Sequence, residues 1–204
     1  MKWLTWLLLF IIFSTNAFAF HPVIVDSENI SVQDPKKLKV YYGELESSPH
    51  FYRIEASEEF IMSVAVLTPY DSGNRFNLSI ITNNKTISVQ GEWNEYFDNF
   101  ANNRYYKGPE YNQLVKDGEY VIKVFNENNQ GKYALMIGTE NQYAANDVLN
   151  AVFIMPKIKK EFFGEKAITG YNNYLGVVLA GIFIIFAFII YLFFLGLKFY
   201  IGYR

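Results

Sequence analysis

The residues best equipped for chemistry crowd into one stretch, Gly91–Asn112 (GEWNEYFDNFANNRYYKGPEYN). It sets Trp93, Tyr96, Phe97, Phe100, Tyr105, Tyr106 and Tyr111 among Glu92, Glu95, Asp98 and Glu110. Aromatic faces beside carboxylates can stack on sugar rings or on a partner's apolar surface. Trp93, Tyr96, Phe97, Tyr105, Tyr106 and Tyr111 are therefore the candidate ligand-binding residues. Carboxylate oxygens are hard donors suited to Ca2+, which makes Glu92, Glu95, Asp98 and Glu110 candidate metal ligands, although their spacing matches no fixed loop motif. No other cofactor is implied. The competing reading is packing, with the aromatics capping an open end of the domain and the acids facing water. Irregular stretches longer than about 15 residues in compact domains are usually functional or disordered, and such aromatic density argues against disorder.

Other chemistries are thinly supplied. There is no cysteine, which removes disulfides, thiolate metal sites and cysteine nucleophiles. The only histidines are His21 and His50. A copper brace needs a histidine at the mature N-terminus, and a hydrolytic triad built on His50 lacks a G-x-S-x-G nucleophile elbow. No catalytic residue is assigned, and a metal-dependent enzyme stands as the lesser alternative. All twenty acidic residues and fifteen of the eighteen basic ones lie between Asp26 and Lys166. That mildly acidic middle lacks the basic footprint of a nucleic-acid binder.

The elements that must position the aromatic stretch read as short strands. Leu38–Leu45 and His50–Ala56 flank the turn Glu46–Pro49. Glu59–Leu67 alternates, and Phe76–Thr82 with Thr86–Gln90 form a hairpin around Asn83–Lys85. Asp117–Gly138 (DGEYVIKVFNENNQGKYALMIG) places Tyr120, Ile122 and Val124 on one face of a strand and Tyr133, Leu135 and Ile137 on one face of the next. Asn126–Gly131 between them has hairpin-loop chemistry. Runs of this length with turn signals between them predict an all-β, antiparallel β-sandwich over residues 20–139. Phe20–Lys37, with Pro22 and Pro35, reads as a leader or edge strand.

Both flanks of this domain are apolar. Residues 1–19 (MKWLTWLLLFIIFSTNAFA) have the basic start, short apolar run and Ala-Phe-Ala ending of a cleaved secretory signal peptide. Within 140–164, Ala145, Val148, Leu149, Val152, Phe153 and Met155 form an amphipathic helical stripe that Pro156 ends or kinks. Ile158, Phe162 and Phe163 with Lys157, Lys159 and Lys160 predict a segment on the membrane surface. Residues 165–174 read as a linker. Leu175–Leu197 is 23 residues without a charge, enough to cross a hydrocarbon core of about 30 Å, and leaves a short cytoplasmic tail at 198–204. Lys157, Lys159, Lys160 and Lys166 oppose this orientation under the positive-inside rule, but the signal peptide commits the domain to the outside, as a single-pass type I protein. Gly176-x-x-x-Ala180 would let a second helix approach. Asn29, Asn77 and Asn84 head N-glycosylation sequons.

The last two strands carry Gly118, Tyr120, Val124, then Gly131, Tyr133, Leu135, Ile137. Together with Tyr41–Ile54 (YYGELESSPHFYRI), this resembles the pre-peptidase C-terminal (PPC) type of exported β-sandwich over about Lys39–Gly138. The acidic cluster that many such domains carry before a central strand is replaced by Gly73-Asn74-Arg75-Phe76-Asn77-Leu78. The resemblance implies a jelly-roll-like fold and an accessory or binding role, with no substrate. The expected function is a non-catalytic, extracytoplasmic interaction module with a protein or glycan ligand, anchored in the bilayer. The alternative is an accessory subunit with an integral membrane protein partner.

Overall fold

A computed structural model of the chain describes residues 21–83, 85–99, 102–141 and 145–202. The signal segment lies outside them. Among the described residues eleven strands form two sheets packed face to face. The first has the order β1 (His21–Ile24), β3 (Lys39–Glu46), β11 (Gln130–Ile137), β5 (Phe60–Pro69), β9 (Asn103–Val115), β8 (Asn94–Asp98). The second runs β2 (Asn29–Ser31), β4 (His50–Ala56), β10 (Gly118–Phe125), β6 (Asn77–Ile81), β7 (Thr86–Val89).

The expected β-sandwich is present, and its antiparallel pairing departs from expectation only at two edges. β1 pairs parallel with β3, and β2 parallel with β4. The leader Phe20–Lys37 therefore lays one short strand on the edge of each sheet. Pro22 sits in an edge strand, where its missing N–H is tolerated. The hairpin expected at Asp117–Gly138 also divides. β10 pairs with β4 and β6, whereas β11 pairs with β3 and β5 in the other sheet. Alternation identifies two half-buried strands but not the sheet each enters. The bend is held locally, with Asn126 Nδ2 donating to Gln130 O at 2.8 Å and Gln130 N to Asn126 Oδ1 at 3.0 Å. The expected hairpin of β6 and β7 is present.

Between the sheets lies a core of Tyr41, Leu45, Tyr52, Ile54, Met62, Val64, Leu78, Ile80, Ile122, Val124, Tyr133 and Leu135. The outer face of the first sheet carries a second core of Val40, Tyr42, Leu67, Tyr105 and Ala134. It is covered by α1 (Ala145–Lys157) and the π-helical turn Ile158–Phe162, through Ala151, Met155, Ile158 and Phe162. A sheet buried on both faces explains why Val40–Tyr42 and Ala65–Leu67 are apolar without interruption.

The helical stripe differs from expectation. Positions 151, 155, 158 and 162 turn inward, while Leu149 and Phe153 face out. Ile158 and Phe162, expected on a membrane surface, are core residues, and Lys159 is buried with them. Pro156 does not end the helix, which continues to Lys157 and passes into the π turn. Residues 165–174, expected as a linker, contain a 3-10 turn (Ala167–Tyr171) packed on α1. Its Gly170 has no room for a Cβ, which would lie 2.8 Å from Pro156 N. The chain then enters α2 (Tyr174–Gly202), whose Leu175–Lys198 is long and apolar enough to cross a membrane. Leu175 is only 3% exposed, inside the second core.

Candidate functional site

The stretch expected to be an irregular loop is a β-hairpin. β9 pairs with β5 along most of its length and with β8 through Asn94↔Lys107 to Asp98↔Asn103. The six candidate aromatics go to different places, partly because a register shift in the β5–β9 pairing between Ala65 and Leu67 puts Tyr105 and Tyr111 on opposite faces of the sheet. Tyr96 and Tyr105, directly opposite each other, join the second core under the π turn. Burial pushes the Tyr105 hydroxyl well above the usual tyrosine range, helped by Tyr42 and Asp98. Its ring meets Phe163 edge-on at 5.5 Å, and its hydroxyl lies 3.3 Å from that of Tyr42. Tyr111 packs against the inter-sheet core. These three rings serve packing.

Tyr106 and Trp93 meet Arg75 at the rim, although Trp93, like Tyr111, also packs against the inter-sheet core. Tyr106 stacks on Tyr70 with centroids 4.8 Å apart and planes 13° off parallel. The Arg75 guanidinium sits 4.3 Å from the Tyr106 centroid and 5.0 Å from the Trp93 centroid. Trp93 in turn lies against Gly108, where a Cβ would drive into the indole. The result is a ladder of Tyr70, Tyr106, Arg75, Trp93 and the Gly108 backbone. Tyr70 donates to Glu95 at 3.3 Å, and Tyr106 and Glu95 together raise its hydroxyl pKa. Cation–π contacts of this kind contribute about 0.5–1 kcal/mol each at exposed sites. Tyr70 and Arg75 lie outside the stretch that the sequence marks, so pattern reading missed them. Arg75 donates to Asn74 O at 2.9 Å through Nη1, and a guanidinium carries five N–H donors. The rim thus presents guanidinium donors and the Glu95 acceptor on a rigid aromatic edge. Phe97 stands exposed close to the hairpin turn.

The four candidate metal ligands are not brought together. Glu110 pairs with Lys107 at 2.6 Å, and Glu95 accepts from Tyr70. Asp98 acts electrostatically on Tyr42, Tyr105 and Lys159, and Glu92 is exposed. Among the described residues no three of His, Asp or Glu gather into a cation site, so the donor set does not fit Ca2+. The two histidines are also apart. His21 pairs with Asp147 at 2.9 Å on the first sheet, and His50 lies in the second.

A second feature escaped the sequence. His50 is buried, its Nδ1 lies 2.7 Å from the Tyr133 hydroxyl, and that hydroxyl lies 2.7 Å from the Tyr52 hydroxyl. Burial lowers the His50 pKa, against the opposing pull of Glu28 and Glu46. This chain borders a cleft of about 440 Å³ between the β1–β2 connection, β3 and the π turn. Asp26, Glu28, Glu44, Glu46 and Glu161 line it with Lys132 and Lys157.

Lys159 fixes the π turn to the hairpin. Its ammonium donates to Asn103 Oδ1, pairs with Glu165 at 3.3 Å and lies 5.4 Å from the Phe163 ring centroid. Burial lowers its pKa, while Glu165 and Asp98 raise it.

No family model matches the sequence, and no curated protein does. Among solved structures the chain is similar to the pre-peptidase C-terminal domain of collagenase from Bacillus anthracis. That likeness has 13% identity and a TM-score of 0.34, over 60% of this chain and 98% of that one. It is also similar to a β-glucosidase from Paenibacillus barengoltzii, at 6% identity and a TM-score of 0.24, over 59% of this chain and 13% of that one. The first is the domain type that the Gly118–Ile137 strand motifs resemble. The fold assignment itself rests on the strand order and register above.

Proposed function

We propose that the chain is a single-pass, membrane-anchored, non-catalytic interaction module. Its β-sandwich stands outside the cytoplasm and offers the Tyr70–Tyr106–Arg75–Trp93 ladder, with Glu95, to a protein or glycan ligand. The observation that carries this reading is the burial of Leu175, the second residue of the apolar helix, in the domain's own second core. An apolar helix joined to a domain in this way sets the domain directly on the bilayer. The rim supports recognition, because the Arg75 guanidinium is held against the Tyr106 and Trp93 rings and the Glu95 carboxylate is held by Tyr70.

The chain has no cysteine, so single-cysteine variants test the topology cleanly. Leu114→Cys, on an exposed position of β9, is expected to react with a membrane-impermeant maleimide on intact cells, and the chain to resist carbonate extraction. Labelling only after permeabilisation, or release by carbonate, overturns the anchoring. A photo-crosslinking residue at Glu95 is expected to give a discrete adduct in intact cells. A position 95 that yields none under conditions where Leu114→Cys is labelled removes the ladder as the recognition surface.

A further inference from the structure

Three ties hold the entry of the apolar helix to the domain. The Tyr171 hydroxyl donates to Val152 O at 3.0 Å, Asn102 Nδ2 donates to Asn172 O at 2.9 Å, and Leu175 is buried in the second core. The first tie lies on α1 and the second at the β8–β9 turn, so both elements flank the point where the chain leaves the domain. The residues expected to lie on a membrane, Ile158 and Phe162, are consumed by packing. A different set is left open beside the same ties. Phe153, next to Val152, is 77% exposed, Ile168 in the 3-10 turn is 67% exposed, and Leu149, one turn before Phe153, is 58% exposed. Lys160 and Lys166 are exposed on the same connecting segment.

We infer that Phe153, Ile168 and Leu149 form an apolar collar beside the helix entry that inserts into the bilayer interface. The occupant is lipid, because the collar is continuous with an apolar helix that, past the buried Leu175, leaves Val177, Ile182, Phe183, Ile184 and Phe186 exposed. Aromatic and large aliphatic side chains on a helix lying in the interface bury about 5–10 Å into the headgroup and acyl boundary. Lysines beside them meet lipid phosphates. The collar thus gives the domain a second, lateral hold on the membrane and fixes its tilt.

This inference rests on the membrane-anchored reading, and one experiment separates the two. The full chain is placed in nanodiscs of zwitterionic lipid with an anionic fraction, carrying an environment-sensitive fluorophore on a single introduced cysteine. The variants are Phe153→Cys, Ile168→Cys, Phe186→Cys in the apolar helix and Leu114→Cys. Leu114 lies eleven residues along β9 from Asn103, roughly 35 Å at the rise of a strand. The labels at 153 and 168 are expected to emit to the blue of the label at 114 and to be quenched by lipids spin-labelled near the headgroup. The label at 186 is expected to be quenched by lipids spin-labelled deep in the chains. If 153 and 168 behave like 114 while 186 is quenched, the collar is refuted and the anchor stands. If 186 is also in water, the anchor itself fails.

Discussion

Tyr171→Phe tests how the domain is tied to the apolar helix, and the expected cost follows from local chemistry. Pro156 has no N–H, so the Val152 carbonyl four residues earlier lacks its intrahelical donor. The Tyr171 hydroxyl takes that place at 3.0 Å in a part-buried setting. A hydrogen bond contributes about 0.5–1.5 kcal/mol net, and an orphaned buried carbonyl costs about 1–3 kcal/mol. Partial burial lets water replace some of the lost bond, so Tyr171→Phe is expected to cost about 1 kcal/mol. Pro156→Ala supplies the missing N–H and makes the hydroxyl redundant, so in that background the cost falls toward zero. The change in helix propensity and the lost proline ring contacts cancel in the double-mutant cycle. The expected coupling is about 1 kcal/mol, clear of the roughly 0.3–0.5 kcal/mol within which independent sites add. Hydrogen exchange of the α1 amides, read by mass spectrometry on the full chain in nanodiscs, gives the opening free energies. A Tyr171→Phe cost that is the same with Pro156 or Ala at position 156 refutes the reasoning.

Four further outcomes follow from the same structure. Tyr133→Phe strands both His50 Nδ1 and Tyr52 Oη and is expected to cost about 2–4 kcal/mol in urea unfolding, against about 1 kcal/mol for Tyr52→Phe, which leaves the Tyr133–His50 bond in place; equal costs would refute the chain. Because the folded state depresses the His50 pKa, the unfolded state binds the extra proton, so the His50 contribution is fully present above about pH 6.5 and fades as pH falls below it; His50→Gln should flatten that acid limb of the stability profile. Lys159→Ala is expected to loosen the π turn by about 1–3 kcal/mol by leaving buried Asn103 without its donor, seen as faster exchange at Ile158–Phe162 with β10 unchanged. Gly108→Ala pushes against the Trp93 indole, so Trp93 fluorescence should shift to the red and any adduct at position 95 weaken.

The strands were legible in the sequence because half-buried strands alternate: Tyr120, Ile122 and Val124 read correctly, as did the β6–β7 hairpin. Their sheet membership was not, because the same alternation serves a hairpin within one sheet or a bend between two. Asn126–Gly131 satisfies either. The hairpin at Gly91–Asn112 was hidden because a register shift opposite Ala65–Leu67 breaks the alternation of β9, with Tyr105 in the outer core and Tyr111 against the inter-sheet one. It therefore shows no clean period. For the same reason the candidate aromatics are spread: Trp93 and Tyr106 both meet Arg75, Tyr96 and Tyr105 join the second core, and Tyr111, like Trp93, packs against the inter-sheet core. Tyr70 and Arg75 are distant in sequence from Tyr106, and only the β5–β9 pairing and the loop that follows β5 reveal them. On α1 the expected stripe holds at Met155, but Leu149 and Phe153 face out, and the buried face runs through Ala151 and Met155 into Ile158 and Phe162 of the π turn.

A domain on a free linker samples many orientations above a membrane, and its binding surface has no fixed height. Here Gly170 lies against Pro156 N, and a Cβ on Gly176 would meet the Tyr171 carbonyl. The small residue that sequence reading offers to a neighbouring helix is thus already taken up at the domain's own exit. With Asn102 bonded to Asn172, the β8–β9 turn cannot swing away from the helix entry without breaking contacts. Tyr106 lies three residues along β9 from Asn103, roughly 10 Å. On the proposed anchoring the ladder therefore sits close to the headgroups at a constant height.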